Sequence, residues 1–201
     1  MNELPARLTA RFLAKRHRAA MRLWSAIAAS STTWQGITLG RDCRFYGRTL
    51  FRRAPGSRLE IGSSCEFRSA YWSNPAGVSR PCMLRTERAH SRLVIGAHCG
   101  FSGAVLTAVE SVELGDRVLC GANVTIIDSD FHGLANPSGD ATAKTAPIKI
   151  GDDVWLGLNV IVLKGVTIGE GSVIAAGSVV VESVPAHVLA GGCPATIIRA
   201  L

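Results

Sequence analysis

Apolar residues return every six positions between Ile150 and Val184. Ile150, Leu156, Val162, Ile168, Ile174 and Val180 fall six apart, and Gly151, Gly157 and Gly169 follow three of them. Val154, Val160 and Val166 keep an offset of four from the first three, and Ser172, Ser178 and Val184 continue that track. A six-residue period is neither the helical repeat of about 3.6 nor the plain strand alternation of about 2. Short apolar strands joined by glycine-assisted bends, repeated without a break, predict a solenoid whose units stack around one continuous core.

The same beat runs upstream through Leu114, Cys120 and Ile126, with weaker pieces at Ile95 and Phe101, at Ile61 and Phe67, and at Leu39, Phe45 and Phe51. The interval from Phe101 to Leu114 is one residue more than two repeats, which predicts a one-residue bulge. The pattern fails twice. Segment 69–92, with Asn74-Pro75, Gly77 and Pro81, reads as an irregular excursion. Counting on from Ile126 lands on His132, Ser138 and Lys144, which do not fill an apolar core, so Gly133 to Pro147 is expected to leave the coil as a long loop. The fold class is therefore an all-β solenoid, a parallel β-helix. Three units follow: a basic amphipathic N-terminal helix and linker over 1–36, the repeat body over 37–184, and a C-terminal tail over 185–201 packing on the solenoid.

Charge changes the picture only at the front of the chain. Residues 1–53 hold eleven Lys and Arg against Glu3 and Asp42, a balance of +9, so the remainder carries −2 of the total +7. Residues 5–29 read as a basic amphipathic helix. It suits either a cap on the solenoid or an anionic membrane surface. Its interspersed Arg and Lys argue against a secretory leader, and nothing in the chain resembles a nucleic-acid motif. No apolar run of about 20 residues is present, so no transmembrane helix is expected. The six cysteines form no CxxC pair, and Cys120 holds an inward repeat position, so the cytoplasm is the simplest compartment.

Candidate chemistry gathers where the second break begins. His132 stands where rigid scaffold meets excursion, and a neutral imidazole can accept a proton near pH 7. Asp128, Asp130 and His132 alternate, so an extended segment would turn all three to one side.

With IGDDVWLGLNVIVLKGVTIGEGSVIAAGSVV (150–180), DSDFHG (128–133) and GGCPATIIR (191–199), the chain resembles the hexapeptide-repeat acyltransferases. These are left-handed parallel β-helix enzymes that include sugar and polysaccharide O-acetyltransferases. The likeness spans residues 37 to 201. It implies left-handed coils of three hexapeptides, so residues eighteen apart should stack about 4.8 Å from one another. Leu158 would then lie under Ala176, and Lys164 near Glu182. It also implies acetyl transfer from acetyl-CoA to a hydroxyl, with His132 as general base and no metal. Asp128, Asp130 and Ser102 would serve the acceptor. Trp155, Leu158, Ala176 and Arg199 would contact the donor, the Arg199 guanidinium meeting its phosphates. The backbone N–H of Leu158 would stabilise the oxyanion. Many relatives carry a small or hydroxyl residue at the Leu158 position and Pro at that of Lys164, so this chain departs at both. The resemblance further implies a homotrimer with sites between protomers. Two other readings are a non-catalytic binding or assembly subunit on the same solenoid, and a zinc enzyme like the β-helical carbonic anhydrases, whose three-His spacing this chain lacks.

Overall fold

The computed structural model describes residues 4–133 and 143–201. A parallel ribbon winds into a three-faced prism behind one helix, α1 (Leu4–Trp34). The first face stacks Thr38–Leu39, Arg58–Ile61, Arg92–Ile95, Ser111–Leu114, Ile148–Ile150 and Thr167–Ile168. The second stacks Arg44–Tyr46, Glu66–Arg68, Gly100–Ser102, Leu119–Ala122, Trp155–Leu156, Val173–Ile174, Val188–Gly192 and Ala195–Ala200. The third stacks Leu50–Arg52, Met83–Thr86, Val105–Ala108, Thr125–Ile127, Ile161–Val162 and Val179–Val180. In the last coils the register is eighteen residues: Ile150 pairs with Ile168, Leu156 with Ile174 and Val162 with Val180.

In the regular C-terminal coils each face turns two residues inward, which explains the paired tracks in the sequence. Val154 and Leu156, Val160 and Val162, and Val166 and Ile168 are all buried. Near the N-terminal end the filling becomes aromatic. Phe45 stacks on Phe67 at 4.8 Å and Phe67 on Phe101 at 5.0 Å. Cys65, Cys82, Cys99 and Cys120 are buried among them, and burial pushes the Cys120 thiol above its ordinary range, as suits a core atom.

The corners obey their own rule. Asp153, Asn159, Gly165, Gly171 and Gly177, six residues apart, all adopt positive φ, the region where Gly, Asn and Asp are least penalised. Gly157 answers to a second constraint, since a Cβ there would lie 2.6 Å from the Ala176 nitrogen of the next coil.

The thirteen-residue interval from Phe101 to Leu114 is not one bulge. Leu106, which pairs with Ile126, comes five residues after Phe101, so that corner is one residue short. Leu114 comes eight residues after Leu106, so the next corner is two residues long. The break expected over 69–92 is also shorter than its sequence suggests. Met83–Thr86 rejoins the third face, with Cys82 and Leu84 buried.

Helix α1 runs further than the expected 5–29. Thr32 and Thr33 fold their hydroxyls back onto the Ala29 carbonyl, and Gly36 at φ 64° ends the helix. There Ile37 N–H donates to the Thr32 carbonyl, as in a Schellman closure. The inner face of α1 caps the first coil: Ala28 is part of the core, Trp24 packs on it, and the Ser25 hydroxyl accepts from Phe45 N–H. Residues 185–201 do more than rest on the surface. Val188–Gly192 extends the second face in parallel, and Ala195–Ala200 folds back antiparallel on it.

Candidate functional site

The excursion after Ile127 leaves from the edge between the third and first faces. Residues 134–142 of the loop expected over 133–147 lie outside the described residues. Its root is a short antiparallel stem. Ser129 and Thr145 form an antiparallel bridge, Asp130 N–H donates to the Lys144 carbonyl, and Ala146 N–H donates to the Asp128 carbonyl. His132 is exposed two residues beyond this short stem.

The three acidic and imidazole groups do not share one side. The segment is not extended, because Phe131 has φ 59°. Asp128 is fully buried and points into the long corner after Leu106. Its carboxylate accepts from Val109 N–H at 2.7 Å, Glu110 N–H at 2.8 Å and Ser111 N–H at 2.8 Å. Burial raises its pKa above the usual carboxylate value, against the pull of those donors. Asp128 therefore ties the corner beneath the excursion and offers no free oxygen to a ligand. Asp130 accepts from Lys164 Nζ at 2.6 Å, with both side chains part-buried. Lys164 thus pairs with Asp130 across the next corner, and the expected pairing with Glu182 is not made. Nothing in the sequence beat signals this contact, because it joins the excursion root to a regular corner thirty-four residues on.

The remaining candidates lie elsewhere on the prism. Leu158 and Ala176 occupy successive corners on the edge between the second and third faces, and Gly177 N–H donates to the Leu158 carbonyl. Among the described residues no acceptor faces the N–H of Leu158. Trp155 lies on the second face in register between Leu119 and Val173, 50% exposed. Arg199, on the antiparallel return strand, is exposed. Ser102 ends its strand at the second–third edge, where its buried hydroxyl accepts from Asn74 Nδ2 at 2.8 Å. One face therefore separates His132 from Ser102 and from the Leu158–Ala176 edge within a single chain.

A pocket of about 390 Å³ opens beside His132, bounded by Glu87, Arg88, Val109 and Phe131. Glu87 and Arg88 belong to the corner after Met83–Thr86, two coils earlier on the same edge as the excursion. Sequence reading missed both, since they lie in the stretch taken for an irregular break. Among the described residues, no group of three or more His, Cys, Asp or Glu side chains is placed to hold a metal ion.

A family model described as the hexapeptide repeat of succinyl-transferase matches residues 147–182. The chain is a hexapeptide-repeat solenoid. It is 41% identical over 98 residues to the galactoside O-acetyltransferase of Escherichia coli K12, covering 47% of each protein. It is 44% identical over 91 residues to a putative acetyltransferase of Schizosaccharomyces pombe, covering 45% of this chain and 44% of the relative. Among solved structures, a hexapeptide-repeat acetyltransferase of Vibrio cholerae complexed with acetyl coenzyme A is 35% identical. It has a TM-score of 0.52 and covers 58% of this chain and 64% of that one. The solenoid thus matches a little under half the length of these curated relatives. Its class is the left-handed parallel β-helix on which such acetyltransferases are built.

Proposed function

We propose that this solenoid is an O-acetyltransferase that moves acetyl from acetyl-CoA to a hydroxyl of a sugar or glycan building block. The observation that carries this reading is the exposed His132 at the root of the excursion, beside an open pocket on a rigid edge. The comparisons support it from outside, through relatives that include a galactoside O-acetyltransferase and an acetyl-CoA complex.

In the proposed reaction the His132 imidazole takes the proton of the acceptor hydroxyl as that oxygen attacks the thioester carbonyl. The new C–O bond gives a tetrahedral oxyanion, to which the Leu158 N–H, unengaged among the described residues, would donate. Collapse breaks the C–S bond, and the CoA thiolate takes the proton back from the imidazolium. The Leu158 side chain adds no polar contact, so one backbone donor serves there. Extended pantetheine would lie along the Leu158–Ala176 edge beside Trp155, with Arg199 near the donor phosphates.

His132 and that donor edge stand on different edges of the prism, so the proposed site needs two protomers. We take the assembly to be a homotrimer. Exposed apolar side chains flank the second–third edge, with Leu119 and Trp155 on one side and Ile161 on the other, as a packed interface requires. The proposed setting is the cytoplasm, with α1 touching a membrane surface.

The deciding measurement is release of free CoA from acetyl-CoA across a panel of sugars, for the native protein and for His132→Ala. The variant should lose about 10²- to 10⁴-fold in rate, the usual weight of a general base. Equal rates would remove His132 from the reaction.

A further inference from the structure

We propose that the acceptor carries an anionic group, a carboxylate or a phosphate, and that Arg88 holds it. This inference rests on the reading of His132 as the base, because both residues line one pocket. The pocket wall is unevenly charged. Glu87 is already engaged: its Oε1 takes Arg85 Nε at 2.9 Å, and its Oε2 faces Arg52 at 3.7 Å. The neighbouring Glu110 accepts the Thr145 hydroxyl at 2.9 Å. Two guanidiniums, Arg52 and Arg85, thus share the Glu87 carboxylate, and Arg88 has no carboxylate partner among the described residues.

The Arg88 backbone is fixed. Its N–H donates to the Ser91 hydroxyl at 2.9 Å, that hydroxyl donates back to the Arg88 carbonyl at 2.6 Å, and Ser91 itself is buried. Arg88 thus lines the pocket with His132 from an anchored backbone. Phe131, 39% exposed, supplies apolar surface to the same pocket, which the buried Val109 also lines. A sugar ring resting on that surface could direct one hydroxyl to His132 and one anionic substituent to Arg88. A planar guanidinium engages carboxylate or phosphate through two parallel hydrogen bonds, whereas a neutral hydroxyl gains little there over water. The other anion that the proposed assembly would bring to this edge is a phosphate of the neighbour's donor, and the KM for acetyl-CoA distinguishes the two.

The test uses three probes, glucose, glucuronate and glucose 1-phosphate, with acetyl-CoA as donor. The native protein should favour the two charged sugars by about 10- to 100-fold in kcat/KM, the weight of a charge-assisted contact. Arg88→Ala should erase most of that preference by raising KM for the charged sugars while leaving KM for acetyl-CoA in place. A binding readout stands beside turnover: glucose 1-phosphate should shift the His132 imidazole resonances in the native protein and not in Arg88→Ala. Equal use of charged and neutral sugars, no resonance shift with glucose 1-phosphate, or a raised KM for acetyl-CoA in the variant would each overturn the proposal. Failure of the enzyme reading looks different, with no CoA release on any sugar and no effect of His132→Ala.

Discussion

At the scale of single residues, the edge that bears His132 is built by side chains whose partners lie one coil away. Asp128 shows how far this departs from a local reading. Alternation along the chain placed it beside His132, yet its three donors sit in a corner seventeen to nineteen residues earlier that only coil stacking brings near. Asp128→Asn would turn an amide NH₂ towards N–H groups that need an acceptor. We expect a loss of about 1–3 kcal/mol in denaturant unfolding, and an unchanged midpoint would show that the corner holds without it. Lys164 makes the complementary case. Lys164→Met removes the Asp130 ion pair and should cost at most about 1 kcal/mol globally, but it should speed amide exchange at Asp130 and Ala146, whose N–H groups close the stem. Unaltered exchange at those two amides would mean that the stem stands without the pair.

Among the elements, the repeat strands were legible wherever the six-residue beat was regular, because each inward pair depends only on local spacing. The strand Met83–Thr86 was not, since it follows an excursion that resets the count. A second signal was present and unread: Asp153, Asn159, Gly165, Gly171 and Gly177 mark the corners by backbone conformation at the same six-residue interval. The helix was legible as basic and amphipathic, but whether it caps or meets a membrane could not be decided from its pattern. The structure assigns the capping role to the inner face, through Ala28 and Trp24. It leaves Phe12, Leu23 and Trp34 exposed on the outer one, while Ile27 turns toward Arg48 and Leu50 of the first coil. Phe12, Leu23 and Trp34 are eleven residues apart, about three turns, so they share a stripe. Lys15, Arg16, Arg18 and Arg22 are exposed beside it, and α1 contains no acidic residue. Such a face suits anionic lipid, at about 1 kcal/mol for each Lys or Arg near the surface. The double variant Phe12→Glu, Leu23→Glu should no longer sediment with phosphatidylglycerol vesicles that capture the native protein, and added salt should weaken the native binding. Equal sedimentation of both proteins would assign the stripe to another partner.

For the whole molecule, the arrangement of edges decides more than any one side chain. A three-faced prism sets the excursion on one edge and the Leu158–Ala176 corners on another, with the third face between them. No rearrangement of side chains closes that gap, so one protomer would supply the proposed base and its neighbour the donor track. This division can be tested by mixing two inactive proteins. His132→Ala lacks the base but keeps its donor edge, while Ala176→Trp blocks the donor edge but keeps the base. If each site draws one half from either protomer, co-refolding equal amounts into mixed trimers leaves about one interface in four intact, the chance that a random neighbour pair has the working order. CoA release should therefore return to about a quarter of the native rate, although either variant alone is silent. Were base and donor track to act within one chain, every protomer in the mixture would carry a lesion and no activity would return at any ratio.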